Sequence, residues 1–346
     1  MKDFFVEQLR VGLIGAGGIA GVHIAGWQQL GAHVSVYSRS GAAGLVARYA
    51  IKEVHSLEDL FQASDLISIL TPTPSHHGYA MAAIAAGKDV ICEKPLAENA
   101  ARAAEILRAA RAAGTRLFPA HVVRFFPEYA AAKAAVEAAR RAGGAEGAGE
   151  PAVLALSRSS AGPAEGSWFY NEDLGGGIIR DQMIHDIDQA CWLAGEVISV
   201  EAYQNPPSVE SMVPRPVRAQ VILKHRNGAL STLHGEWGMD GLPFSTSVSI
   251  EAANGGTIFA WPEGDMVPAS VNEPGDYLPV QDVVNSPYTL QNAEFAAARA
   301  SGEPARVSPY DGVMAVALAD AAYASIALGR AVEFSAAAVQ ALVEQP

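Results

Sequence analysis

Asp181, His185 and Asp188 recur at i, i+4 and i+7 within Gly175-Gly176-Gly177-Ile178-Ile179-Arg180-Asp181-Gln182-Met183-Ile184-His185-Asp186-Ile187-Asp188. On a helix that spacing places all three on one face. A histidine with carboxylates beside it is a general base with an orienting partner. A divalent-metal site is the rival reading, but the chain offers no evident fourth ligand. The plain alternative is an amphipathic helix with a polar stripe and with Ile184, Ile187, Cys191 and Trp192 in the core.

A second chemical group sits at Glu93-Lys94-Pro95, directly after the strand-like run Asp89-Val90-Ile91-Cys92. A lysine at a strand end can polarise a substrate oxygen, and a cationic neighbour would lower its pKa. It can equally do no more than neutralise Glu93.

A third pattern is Gly15-Ala16-Gly17-Gly18-Ile19-Ala20, which fits G-x-G-x-x-G/A. Gly15 would make a tight turn, and Gly17 would let the backbone approach a pyrophosphate held on a helix N-terminus. The motif follows a strand and opens a helix, which is the context it requires. About 20 residues on, where an acid would bind the ribose 2′-OH of NAD, the chain has Ser38-Arg39-Ser40. Two hydroxyls and a guanidinium suit the 2′-phosphate of NADP better. NADP is therefore the expected cofactor, with NAD the alternative.

These groups need elements to position them. Strand-like runs at Arg10 to Ile14, His33 to Tyr37, Asp65 to Leu70, Asp89 to Cys92 and Arg116 to Ala120 alternate with helical segments. Ser75 can cap the helix that follows Thr71-Pro72-Thr73-Pro74. This alternation predicts βαβ units and a parallel, doubly wound sheet whose strand ends face the ligand crevice. The pattern changes near residue 124. A helix (Glu128 to Arg141) leads into a glycine-rich connection, Ala142 to Gly149. Longer strand-like segments then follow, at Ala152 to Ser159, Val197 to Tyr203, Val217 to His225, Ala229 to Trp237 and Ser245 to Glu251. Asn227-Gly228 and Asn254-Gly255-Gly256 are hairpin signals and predict an antiparallel sheet. A helix over Arg180 to Leu193 interrupts it, and helices return from Thr289. The expected division is residues 1–123 and residues 124–346.

Composition bounds the function. With 24 Lys+Arg against 37 Asp+Glu, the formal net charge of −13 argues against binding nucleic acid or an anionic membrane. The acids concentrate after residue 123, and none falls between Glu7 and Glu53, where Arg10, Arg39, Arg48 and Lys52 do. The proposed phosphate-binding stretch is thus locally basic, while the acidic remainder suits a neutral or cationic substrate. Two cysteines, Cys92 and Cys191, cannot build a disulfide framework and read as buried thiols of a reduced, cytoplasmic protein. Met1 to Phe5 does not resemble a signal peptide, and no run of about 18 uncharged apolar residues predicts a membrane span. The most apolar late stretch, Gly312 to Gly329, contains Asp320 and reads as a buried helix.

Together, these blocks resemble the Gfo/Idh/MocA family of oxidoreductases. The blocks are Val11 to Ala20 with His23, Thr71-Pro72-Thr73 to His76, Glu93-Lys94-Pro95, and Gly176-Gly177 through Asp181, His185 and Asp188. The resemblance implies a Rossmann domain followed by an α+β domain with a large, open, mostly antiparallel sheet. That sheet would make a homodimer or homotetramer. The resemblance also implies that Lys94 and His185 are catalytic with Asp181 beside them, and it favours a cis Lys94-Pro95 peptide. Thr71, Pro72, Thr73, His76, Glu93 and Lys94 would line the cofactor groove together with Gly15, Gly17, Gly18, Ile19, Ser38 and Arg39. Trp168, Tyr170 and Asn171 would form part of a substrate loop, and Arg124 a pocket edge. The expected function is hydride transfer between a nicotinamide and a sugar, cyclitol or related polyol. Two alternatives are an NAD-dependent glycosidase with a transient redox cycle, and a non-catalytic dinucleotide sensor.

Overall fold

The computed structural model describes residues 9–143, 149–265 and 283–345. Most of the glycine-rich connection after Gly143 lies outside the described residues.

The first sheet is built from alternating elements in chain order: β1 (Arg10–Ile14), α1 (Ala20–Gln29), β2 (His33–Tyr37), α2 (Ala43–Tyr49), β3 (Lys52–Glu53), α3 (Leu57–Ala63), β4 (Leu66–Ile69), α4 (His76–Ala85), β5 (Asp89–Glu93), α5 (Ala100–Ala113) and β6 (Leu117–Ala120). All neighbouring strands pair parallel in the order β3-β2-β1-β4-β5-β6. That is the doubly wound order whose carboxyl edge holds dinucleotides. Val11, Leu13, Ile67, Ile69, Val90 and Ile91 are fully buried, as both faces of a parallel sheet require. Helix ends use local chemistry. Ser56 and Asn99 cap α3 and α5 by accepting from Asp59 N and Arg102 N. Ser75 does not cap α4. A short 3₁₀ turn, Thr73–Ser75, precedes that helix, and the Ser75 hydroxyl reaches back to Thr71 Oγ1 (2.8 Å) and the Pro72 carbonyl (2.7 Å).

The second part comprises α6 (Pro127–Gly143), β7 (Pro151–Ala161), α7 (Ile184–Ala194), β8 (Val197–Asn205), β9 (Val217–His225), β10 (Leu230–Gly238), β11 (Ser245–Ala252), β12 (Thr257–Asp265), α8 (Pro287–Ser301), α9 (Pro309–Leu328), β13 (Val332–Glu333) and α10 (Ala336–Glu344). Its seven strands run β12-β11-β7-β10-β9-β8-β13. Every pair is antiparallel except β7–β10, which is parallel over Val153 to Ala161. Inward residues such as Leu154, Leu156, Val221, Leu233 and Val248 pack under α7, with Ile187, Ala190 and Leu193.

Helices α8 and α9 return to the first sheet. Phe295 stacks on Phe118 at 4.9 Å and meets Phe125 edge-on at 6.0 Å. Val313 and Val316 join the core of β4 and β5, whereas Leu318, Ala319 and Ala322 join that of the large sheet. By length and composition α9 could cross a membrane, yet half of its most apolar window is buried within the fold. Asp320 on this helix accepts from Arg180 Nη2 at 2.9 Å and from the Ala100 amide at the start of α5.

Candidate active site

The loop after β1 has the geometry of an anion cradle. Gly15 sits at φ +112°, and a Cβ there would lie 2.6 Å from the Leu70 carbonyl oxygen, so only glycine fits. At Gly17 the opposite holds. Nothing stands within 4 Å of where a Cβ would be, and Gly17 and Gly18 face solvent. Helix α1 then begins without a side-chain cap and with no acid in its first turn. Its leading amides and positive end are thus available to an anion. These residues fit a dinucleotide pyrophosphate. Ile19, half-buried, precedes the helix. At the end of β2, Ser38 Oγ lies 3.2 Å from Ser40 Oγ, and Arg39 is exposed beside them. Glu53, on the neighbouring strand, accepts from the Ala42 amide at 2.9 Å.

At the end of β4, Thr71 is half-buried and Pro72 exposed, on the groove side. Thr73 and His76 turn inward instead. His76 bridges two loops, with Nε2 2.7 Å from the Thr71 carbonyl and Nδ1 2.8 Å from that of Pro95. Burial lowers its pKa, and the neutral ring donates its one N–H to one of these two carbonyls. His76 is thus buried and ties the loop after β4 to the turn at Pro95. Glu93 is buried as well. It is 8% exposed and accepts from His23 on α1 at 2.9 Å, while its other oxygen takes the Lys94 amide at 3.2 Å. Burial raises the Glu93 pKa, but the His23 hydrogen bond and charge, with Lys94, outweigh it and hold the carboxyl below its ordinary value.

Lys94 follows β5, and its peptide to Pro95 is cis. The ammonium donates to the Asp181 carbonyl at 2.7 Å and to Asp181 Oδ1 at 2.8 Å. Asp181 lies in a π-helical turn, Ile179–Met183, from which α7 continues. The single α-helix expected from Arg180 is therefore interrupted. The extra residue in the π-turn shifts the helical phase between Asp181 and His185. Asp181 meets Lys94, whereas Asp188 meets Arg124. Asp188 is no orienting partner of His185.

His185 is half-buried, and its Nδ1 is buried with no hydrogen-bond partner among the described residues. Desolvation, then the charges of Lys94, Arg158 and His121, hold its pKa well below the usual imidazole value. The ring is neutral at physiological pH and can accept a proton. A strand end, an ammonium group, a carboxylate and a neutral imidazole thus converge at the carboxyl edge of the first sheet.

Three expected substrate contacts have structural partners instead. Arg124 is 2% exposed and makes a two-pronged bond to Asp188 (2.8 and 2.6 Å), with a further bond to Asp311 at 3.1 Å. Tyr170 is buried, donates to the Pro163 carbonyl at 2.7 Å and meets Trp237 edge-on. Asn171 uses Oδ1 to accept the Asp173 and Leu174 amides, closing its own turn. Trp168 stays half-buried, stacked on Phe169 at 4.0 Å.

Other residues at the site were not singled out by sequence reasoning. His121 follows β6. It is buried with neither ring nitrogen hydrogen-bonded among the described residues, and its Nδ1 is 3.9 Å from Asp188 Oδ2. Arg158 pairs with Asp186, the neighbour of His185. Arg158 carried a readable signal, because it falls on the inward side of β7 in phase with Leu154 and Leu156, where a charge requires a partner. Among the described residues no three His, Cys, Asp or Glu side chains gather as metal ligands.

A doubly wound sheet, a glycine cradle and a lysine–aspartate–histidine cluster define a dinucleotide-binding oxidoreductase. Residues 9–121 match the family described as "Oxidoreductase family, NAD-binding Rossmann fold", and residues 136–254 match "GFO/IDH/MocA C-terminal domain". The chain belongs to the GFO/IDH/MocA family of oxidoreductases. An inositol 2-dehydrogenase of Klebsiella pneumoniae (strain 342) is 33% identical over 198 residues, 54% of this chain and 55% of that one. The match to this relative therefore spans about half its length. An inositol 2-dehydrogenase of Rhizobium meliloti (strain 1021) is 28% identical over 355 residues, 94% of this chain and 99% of the relative. The crystal structure of GenD2 from gentamicin A biosynthesis, in complex with NAD, has a TM-score of 0.80. Its identity is 24%, over 96% of this chain and 98% of that one, a likeness of fold.

Proposed function

We propose that this protein is an NADP-dependent dehydrogenase or reductase acting on a CH–OH or carbonyl group of a sugar, cyclitol or related polyol. Residues 1–123 would hold the dinucleotide and residues 124–346 the substrate. The observation that carries the reading is the meeting of Lys94 and Asp181 beside a neutral His185, at the carboxyl edge of the sheet that bears the glycine cradle.

The dinucleotide, when bound, supplies the two-electron acceptor or donor. Gly15, Gly17, Gly18 and the α1 amides would hold its pyrophosphate. Ser38 and Arg39 would meet a ribose 2′-phosphate, because the loop has no acid and the Glu53 carboxylate is taken by the Ala42 amide. With the dinucleotide as two-electron acceptor, the His185 imidazole would take the proton of the substrate hydroxyl as the carbonyl forms. Lys94 Nζ donates to the same oxygen and stabilises the negative charge that grows there. Asp181 holds Lys94 in place and is available to a neighbouring hydroxyl. In reduction each transfer reverses.

The outer face of the large sheet supports a homo-oligomer. Val153, Leu230 and Tyr203 share that face by strand register and are 47%, 42% and 51% exposed. Apolar side chains so exposed on one sheet fit a second copy of this chain. A cytoplasmic setting fits a nicotinamide-dependent enzyme.

The test is direct. The protein is incubated with NADP⁺ or NAD⁺ against a panel of inositols, aldoses and anhydrosugars, and reduced nicotinamide is followed by absorbance. Turnover of at least one polyol with NADP⁺ preferred supports the reading. Binding of dinucleotide without turnover of any carbohydrate, in either direction, overturns it. Light scattering reports the oligomeric state.

A further inference from the structure

The two side chains proposed to face substrate, Asp181 and His185, are each followed by a polar residue tied to one strand of the large sheet. Gln182 donates from Nε2 to the Arg158 carbonyl at 2.9 Å and accepts from Ser160 Oγ at 2.9 Å. Asp186 accepts a two-pronged bond from Arg158, Nε to Oδ2 at 3.0 Å and Nη2 to Oδ1 at 2.9 Å. Arg158 Nη2 also donates to Tyr129 Oη at 3.0 Å. The guanidinium lies 5.8 Å from the centroids of both the Tyr129 and Phe244 rings. The Nε and Nη2 donors of the fork are thereby committed, and the residue is 5% exposed.

Stability alone does not account for this arrangement. Removing two charges from water costs about as much as their attraction returns, and a well-packed apolar pair would serve the core equally. Location gives the better account. Asp186 is the residue after His185, in the first turn of α7, where the π-turn has just ended.

We propose that Arg158 is a positioning residue for His185: its grip on Asp186 fixes the rotation of the first turn of α7 and keeps a permanent positive charge on the interior side of the imidazole. The proposal rests on the reading of His185 as the base. Three cationic or titratable groups act on the ring from different elements: Lys94 from the end of β5, His121 from the turn after β6, and Arg158 from β7. Asp181 is neutralised by Lys94, Asp186 by Arg158 and Asp188 by Arg124. Glu128 and Tyr129, from α6, lie on the Arg158 side. Arg158 is the one cation of the three that is both always charged and remote from the proposed substrate position.

The experiment uses the whole chain without cofactor or substrate. The His185 ring protons are assigned by comparison with His185→Gln and titrated by NMR. Two variants are compared, Arg158→Met and the charge-matched pair Arg158→Met with Asp186→Asn, which leaves no orphaned carboxylate if the single variant fails to fold. We expect the His185 midpoint to rise by about one pH unit in folded Arg158→Met, the size of a unit charge removed at this kind of range, and to rise less in the charge-matched pair, which also removes the Asp186 carboxylate. Arg158→Lys, which keeps the charge and loses the fork, is expected to hold the midpoint. It should lower kcat by roughly tenfold to a hundredfold with KM little changed, if the enzyme turns over a polyol. Folded Arg158→Met whose His185 titrates as in the wild type overturns the proposal, and if only the charge-matched pair folds, a wild-type midpoint together with wild-type kcat overturns it. A shifted midpoint in a protein that turns over no carbohydrate sustains the Arg158–His185 coupling and removes the dehydrogenase reading.

Discussion

Lys94, at the edge of the first sheet, and Asp181, in the turn leading into α7, are held together by one ammonium group that donates to both the carbonyl and the carboxylate of the same residue. The double contact fixes two things. The carbonyl bond sets the position of the π-turn, and the carboxylate bond sets the charge. Lys94→Met removes both and leaves a buried, unpaired carboxylate. We expect kcat/KM to fall by at least about a hundredfold, the usual yield of a donor aimed at developing negative charge. Dinucleotide affinity, measured by fluorescence titration, should change little. Near-normal turnover in Lys94→Met would remove Lys94 from the mechanism.

The buried histidines set the acid stability. His76, His121, His185 and His225 are all held below the ordinary imidazole value, with burial the largest cause in each. Each is neutral in the fold at pH 7 and gains a proton on unfolding once the pH drops below about 6.5. The unfolded chain then binds more protons, so stability is fully present above that value and is lost on acidification. Glu93, held below its ordinary value, adds a loss in the same direction at lower pH. Tm should be level from pH 8 to 7 and fall between pH 6.5 and 5, as the unfolding free energy drops by about 1.4 kcal/mol per pH unit for each imidazole in its titrating window. A Tm that rises on acidification across that range would contradict the assignment.

Arg124 is a strut, and its loss should read out as stability. Arg124→Ala leaves Asp188 buried and unpaired and removes the bond to Asp311. Chemical denaturation should show a loss of about 3–5 kcal/mol, the cost of breaking a buried pair from one side. Where the variant stays folded, KM for the polyol should move far less than it would for a pocket residue. A stable Arg124→Ala with a greatly raised KM would return Arg124 to the substrate site.

The proposed NADP preference rests on the loop after β2. Ser38→Asp with Arg39→Ala replaces a 2′-phosphate donor set with an acid that can accept from a ribose 2′-OH. NADP affinity should fall at least about tenfold, equivalent to 1.4 kcal/mol, and NAD affinity should rise. Isothermal titration with both dinucleotides measures this directly. A wild type that already binds NAD more tightly than NADP would remove the reading of Ser38 and Arg39.

Much of the architecture was legible from residue types. The strand bounds of β1, β2 and β9 follow from β-branched runs stopped by glycine or a turn. The glycine cradle follows from steric need at Gly15 and open space at Gly17. The π-turn at Ile179–Met183 was not legible, because a one-residue change in hydrogen-bond register leaves no mark on the apolar pattern. Nor was the two-residue β3, which pairs only because β2 is already in place. The parallel β7–β10 pairing joins segments far apart in sequence and has no local signature. Arg124, Tyr170 and Asn171 show the ambiguity of polar residues in loops. The same side chain can serve a ligand or the backbone, and only burial and partners decide between them.

The return of α8 and α9 to the first sheet bears on how the chain is made. Phe118 on β6 waits for Phe295, and Arg116 donates to the carbonyls of Ala298 and Glu303. Val313 and Val316 complete the core beside β4 and β5. A ribosome delivers β1 to β6 long before these partners exist. The nascent first sheet therefore emerges with one flank uncovered, and that flank is closed only once α8 and α9 have followed. Such sequence-distant closure slows folding and prolongs exposure of apolar surface. Synthesis in the cell thus places a premium on shielding that flank, and amino-terminal fragments that stop before α8 should accumulate as aggregates.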